Sequence, residues 1–408
     1  MKIRFAPVFH FVLCTVTIVL FYSCSSPAAV RGVSTQAEAF PVFAIQVSES
    51  IVFEIDPRIE LLSGVQAHTS WAAGSRGPGN TPDRYNLALA TFFEPYKKHP
   101  AVRWSNSLTR SGFSYDAPPG FVLSTSGNSA MLPPAEGWSD YLAKRAGFIL
   151  GGLRLNNFAA ELSDLYTASN FNVFLRNHAD DYQKWLQAAA SSFDWERLGA
   201  WMDAFYGKSE LPTLYHYVLA PAMFPGGGYG FFNVEKDSSG QDIRRHVYQV
   251  IRNSRDGRAA AAGTEPEFPT AESLALLGLH EFGHSYVNPA LKDLVQSADY
   301  NSALTELYKP VAGQMHQMAY PSMSIYMNEL LIRAITIIGA EDLGLVTPLV
   351  SDLLVRREYD QGFYPVRFVM DTIRYLQAAH GAESVFADWL PGLLDALAAA
   401  SARPVFYY

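Results

Sequence analysis

The sequence predicts an α+β fold: a small, mostly antiparallel sheet packs on one apolar helix, and a largely helical half precedes it. Three observations carry this. Between Arg58 and Ala190, several segments repeat apolar residues at three- and four-residue spacing. From Leu214 the apolar period drops to two over three short runs. Beyond them the almost wholly apolar stretch Leu274-Ala275-Leu276-Leu277-Gly278-Leu279 runs straight into His280-Glu281-Phe282-Gly283-His284, as a helix buried on every side would.

Taken in order, the chain opens with Met1-Lys2-Ile3-Arg4, an apolar run from Val8 to Phe21, and Ser23-Cys24-Ser25-Ser26-Pro27. The run is shorter than the roughly 20 apolar residues of a membrane span and has the basic start and small-residue end of an export signal. Phe21-Tyr22-Ser23-Cys24 resembles a bacterial lipobox, so residues 1–23 are expected to leave as a signal peptide and Cys24 to carry lipid. Residues 24–40, small and polar with no hydrophobic period, read as a tether. Val42 to Val47 and Ile51 to Ile55 alternate and read as strands, ending at Asp56-Pro57.

Helices are expected over Arg58 to Ala67, Tyr85 to Tyr96, Tyr141 to Leu153, Ala159 to Tyr166 and Ala179 to Ala190. Gly74 to Pro82 and Ser111 to Gly127, rich in Gly, Pro and Ser, read as surface loops. Leu214 to Leu219, Tyr229 to Val234 and His246 to Ile251 read as strands, with Pro225-Gly226-Gly227-Gly228 and Asp237-Ser238-Ser239-Gly240 as turns. The motif helix opens at Pro269-Thr270, with Thr270 as N-cap and Glu272 in the first turn, and Asn288-Pro289 is expected to close it. The division is thus a mainly helical 41–205 and a catalytic part at 206–408, or a single domain over 41–408.

Cys14 and Cys24 are the only cysteines, and Cys14 leaves with the signal, so no disulfide can form in the mature chain. Core packing must hold it, and 49% hydrophobic with 13% aromatic residues supplies the material. Loss of Lys2 and Arg4 leaves 29 basic against 39 acidic residues, a net charge of −10, which argues against nucleic acid as a partner. Membrane attachment is expected only through lipid on Cys24, placing the protein in the bacterial cell envelope, at the outer membrane or free in the periplasm or medium.

His280 and His284 stand four apart, so on a helix both imidazoles reach one Zn2+ ion. Glu281 beside them is placed to take a proton from an attacking water. Two buried histidines and a glutamate would otherwise lack partners. Gly278 and Gly283 inside a helix mark close approach by a neighbouring helix or sheet, with flexibility near the site as the alternative. A third ligand is needed, and the extended HExxHxxGxxH pattern fails, because Val287 and Ala290 stand at its last two positions. Glu329, with apolar neighbours on both sides, is the first candidate, followed by Glu306 and Asp293. Arg333, one turn on from Glu329, either pairs with it or braces it as a metal ligand. His316, Tyr320, Tyr364 and His380 are candidates to stabilise an oxyanion. Gly226-Gly227-Gly228-Tyr229-Gly230 lacks the Lys-Ser/Thr pair of a phosphate loop and reads as a hairpin beside the motif helix, whose edge, if free, would take an extended peptide.

Asp56-Pro57-Arg58-Ile59-Glu60-Leu61-Leu62-Ser63, Phe92-Phe93-Glu94-Pro95-Tyr96 with His99-Pro100, Gly226 to Asn233, and His280 to Pro289 together resemble a family of bacterial exported proteins catalogued as a domain of unknown function and related to zincin metalloproteases. The likeness runs from Ile51 to about Leu390. It implies a zincin-like fold, His280 and His284 as ligands and Glu281 as base, and brings no substrate. The function expected is a zinc-dependent metallohydrolase, a gluzincin-like peptidase acting on peptide or protein outside the cytoplasm. A lipoprotein that binds peptide or glycan without turnover, and a hydrolase of a non-peptide amide, are the alternatives.

Overall fold

The computed structural model describes residues 39–70, 83–191, 193–223, 229–252, 264–381 and 383–401. The expected signal peptide, Cys24, nearly all of the expected tether, the whole of the expected Gly74 to Pro82 loop and the expected Pro225 to Gly228 turn lie outside them. Five strands form one sheet: β1 (Phe43–Gln46), β2 (Ile51–Ile55), β3 (Thr213–Ala220), β4 (Tyr229–Lys236) and β5 (Asp242–Arg252), in the spatial order β1-β2-β3-β5-β4. β1 with β2 and β4 with β5 are antiparallel, whereas β2 with β3 and β3 with β5 are parallel. The sheet is therefore mixed and the expected mostly antiparallel arrangement is corrected. A period of two identifies strands without naming their partners. Direction is set by connections, and the long helical excursion from β2 to β3 is a crossover that brings the chain back parallel.

That excursion contains α1 (Pro57–Gln66), α2 (Arg84–Phe93), α3 (Pro100–Arg110), α4 (Ala117–Leu123), α5 (Asp140–Ala146), α6 (Gly151–Ala168), α7 (Phe171–Asn177), α8 (Ala179–Ala190) and α9 (Trp195–Tyr206). After the sheet come α10 (Ala271–Leu291), α11 (Asn301–Tyr308), α12 (Ala312–Gln317), α13 (Met323–Asp342), α14 (Pro348–Asp360), α15 (Val366–His380) and α16 (Phe386–Ser401). The α+β class stands, and the described residues belong to one compact unit.

Local sequence explains most of these elements. Asp56 caps α1, its carboxylate accepting from the Arg58 N–H at 2.8 Å, with Pro57 in the first turn. Two helix expectations shift. The one over Tyr141 to Leu153 breaks at Gly147, whose φ of 146° is open to glycine and strained for other residues, and α6 then runs unbroken through the supposed gap before Ala159. The supposed loop Ser111 to Gly127 contains α4, every residue of which is buried. Its Pro118 and Pro119 sit in the first turn, where missing N–H groups cost nothing. The Asp237 to Gly240 turn forms as expected, Asp237 Oδ1 accepting from the N–H of Ser239 at 2.8 Å.

Opposite faces of the sheet are covered by different helices. α10 lies against β4 and β5, while Gly120 of α4 meets the Phe231 ring from the other side. α13 is apolar and long enough to cross a membrane, but 72% of its most apolar stretch is buried, so it serves as the central core helix, packed along α10. Ile332, Ile335 and Ile338 on it are fully buried, each contributing about 1.5–3 kcal/mol.

A candidate metal centre between two core helices

The motif lies in the middle of α10, which starts where Thr270 accepts from the Ser273 N–H at 3.3 Å. Its end differs from expectation: Pro289 lies inside the helix, which continues to Leu291. Proline lacks the N–H that would bond Ser285 O one turn back, and Arg245 of β5 donates to that carbonyl instead. The two motif glycines mark close contacts, as anticipated. A Cβ on Gly278 would stand 1.9 Å from the Tyr217 hydroxyl of β3, and one on Gly283 would stand 2.9 Å from the Tyr206 hydroxyl at the end of α9. Sheet and helix thus clamp α10 on both sides of His280.

His280, His284 and Glu329 offer ligand atoms that all lie within 4.8 Å of one another. His280 Nε2 is 3.8 Å from Glu329 Oε2, and His284 Nε2 is 3.5 Å from Glu329 Oε1. In a tetrahedral site with bonds of about 2.0–2.1 Å, neighbouring ligand atoms stand about 3.3 Å apart, so modest closure satisfies one ion. The chemistry of the donors fits as well. Burial above all, then the charges of His284 and Arg333, pushes the His280 imidazole well below its usual pKa, keeping its lone pair free. His284 Nδ1 faces Asn288 Oδ1 at 3.2 Å, a bond that puts the ring proton on Nδ1 and leaves Nε2 to coordinate. Two imidazole nitrogens and a carboxylate oxygen, the last on buried Glu329 of α13, can therefore hold a divalent metal ion.

Glu281 lies beside this centre against the edge strand. The Gly230 N–H of β4 bonds its carboxylate, and burial is the main cause that raises its pKa, with the nearby charges of Glu329 and Asp116 adding to it. A Cβ at Gly230 would come within 2.8 Å of Glu281 Oε2. Behind Glu329 stands Arg333, whose Nη2 lies 3.3 Å from Glu329 Oε2 and 3.2 Å from the Tyr320 hydroxyl. Its guanidinium also covers the Phe363 ring at 4.3 Å.

The structure brings together His280, Glu281, His284, Glu329, Arg333 and Tyr320, and leaves the other candidates elsewhere. Glu306 is exposed and paired with Lys309, and Asp293 is exposed beyond the end of α10. Tyr364 donates its hydroxyl to Leu307 O at 2.6 Å, His316 is exposed on α12, and His380 bonds Leu376 O at the end of α15. Residue-by-residue reading missed Glu358, which is 3% exposed and takes Arg333 Nη1 at 2.5 Å. It also missed Asp116, hidden in a segment read as loop. His99, Glu161 and Asp164 also bring ligand atoms within 4.8 Å of one another, but the hydrogen bonds of His99 disfavour coordination. His99 Nδ1 accepts the Ala101 N–H at 3.2 Å, so the ring proton sits on Nε2, which faces Asp164 at 3.0 Å.

No protein-family model, no curated protein and no solved structure matches this chain.

Proposed function

We propose that this protein is a zinc-dependent metallohydrolase with a zincin-like fold, a peptidase of the two-histidine-plus-glutamate, gluzincin-like kind that works outside the cytoplasm, held to the envelope through lipid on Cys24. The observation that carries this reading is the convergence of His280, His284 and Glu329 from two core helices onto a space one ion wide, with Glu281 alongside. Zinc, when bound there, supplies Lewis acidity toward water and the scissile carbonyl. The chain supplies the rest. Glu281, with its pKa raised by burial, accepts the proton of the attacking water and delivers it to the leaving amine. Arg333 and Tyr320 fix Glu329 and put a cation and a hydroxyl next to the centre. β4 is the last strand of the sheet and carries Gly230 against Glu281, so an extended peptide added to that edge would pass the base.

The test compares wild type with Glu281→Gln for zinc content and for cleavage of a mixed peptide library. Full zinc in both with cleavage only in wild type is expected. Equal cleavage in both ends the proposal. Stoichiometric zinc without cleavage in wild type turns it toward a binding lipoprotein or a non-peptide amide.

A further inference from the structure

We infer that Glu358 is a positioning residue that sets the metal affinity of the centre through Arg333, an inference that rests on the metal-centre reading above. Glu358 lies on α14, outside the motif helix and the helix of the third ligand, and touches none of the three ligand residues. Its carboxylate is nonetheless almost wholly buried and fully engaged. Oε2 takes Arg333 Nη1 at 2.5 Å, and Oε1 takes Arg357 Nη2 at 2.7 Å and Arg357 Nε at 3.2 Å. The other arm of the Arg333 fork is shared at longer range between the Tyr320 hydroxyl and Glu329 Oε2. Arg333 is therefore bound closely by Glu358 and loosely by Glu329.

This asymmetry matters because Glu329 has two incompatible suitors. A free guanidinium beside it would draw the carboxylate into a close two-pronged ion pair and would repel an incoming dication. Glu358 supplies the compensating charge from the far side and holds Arg333 back. What remains is a single contact of 3.3 Å that orients Oε2 and leaves Oε1 turned to His284 Nε2. Glu358 thus keeps Arg333 as a brace and prevents it from becoming a competitor of the metal.

The experiment measures the zinc dissociation constant by competition with a chromophoric chelator, for wild type, Glu358→Gln, Arg333→Met and the double variant, with the melting temperature of each metal-free protein alongside. Glu358→Gln is expected to weaken zinc roughly 10- to 100-fold. The double variant is expected to bind no more weakly than Arg333→Met alone, since Glu358 acts through that guanidinium. Glu358→Asp, which keeps the charge, is expected to recover most of the affinity; should Glu358→Gln fail to fold, the double variant against Arg333→Met decides, and a double variant that binds zinc more weakly overturns the inference. Wild-type affinity in Glu358→Gln, a melting change with no affinity change, or losses that simply add in the double variant would overturn the inference and leave the metal centre standing. A wild-type protein that takes up no zinc would remove the metal centre itself.

Discussion

Glu60 is a carboxyl group sealed in the core, and its position makes stability depend on pH. Tyr85 donates to its Oε2 at 2.5 Å and faces the Tyr182 hydroxyl at 2.6 Å, while Oε1 has no hydrogen-bond partner among the described residues. Burial outweighs the Tyr85 bond and pushes the pKa up to about 8. The folded state then holds a proton that the unfolded chain releases above about 4.5. Between those values the folded form binds more protons, so stability falls with rising pH, by up to about 1.4 kcal/mol per pH unit from this group. Melting temperatures measured from pH 5 to 8 should decline in wild type and decline less in Glu60→Gln; parallel curves would refute the assignment. Gly230 is the matching case at the site. Any side chain there presses on the Glu281 carboxylate, so Gly230→Ala should keep zinc and lose about 100-fold in peptide cleavage, as a misplaced base would. Undiminished turnover would show that Glu281 does not need this contact.

At the scale of elements, α10 outlasts its proline because β5 supplies a donor. Arg245 reaches the Ser285 carbonyl left without an N–H and also covers the Tyr286 ring at 4.6 Å. Arg245→Met should therefore destabilise the protein by about 1–3 kcal/mol in chemical denaturation. Adding Pro289→Ala should restore part of that, because alanine returns the helix N–H to Ser285 O. No recovery would mean that Arg245 acts through the Tyr286 and Phe232 rings and not through the carbonyl. The same episode shows why sequence misplaced this end: the preference against helix before proline is local, and the compensating arginine comes from a strand forty residues away. α4 was hidden for the converse reason. Ala117-Pro118-Pro119-Gly120 has the composition of a loop, and a helix buried on all sides has no polar face to give a period. The motif was legible because His280, Glu281 and His284 lie within one turn of a single helix, and Glu329 because a lone carboxylate among apolar residues needs a partner. Glu358 follows Arg356 and Arg357 and reads as an ordinary surface charge until α14 packs against the centre.

For the whole molecule, the proposed ligands join two helices, α10 and α13, that lie well apart along the chain. No cysteine occurs among the described residues, so non-covalent contacts hold α10 and α13 together there. An ion gripped by His280 and His284 on one helix and Glu329 on the other binds the folded chain and not the unfolded one, and its binding free energy adds to stability. At free zinc about 1,000 times the dissociation constant this amounts to about 4 kcal/mol. The melting temperature should accordingly rise with buffered zinc and fall in chelator, at fixed protein concentration. His284→Ala and Glu329→Gln should each flatten that response, whereas Glu281→Gln should retain it, because Glu281 is assigned to proton transfer and not to holding the ion. This separates two roles that lie side by side in the sequence. A Glu281→Gln protein that lost its zinc response would move the carboxylate into the ligand set and force a different base for the hydrolysis.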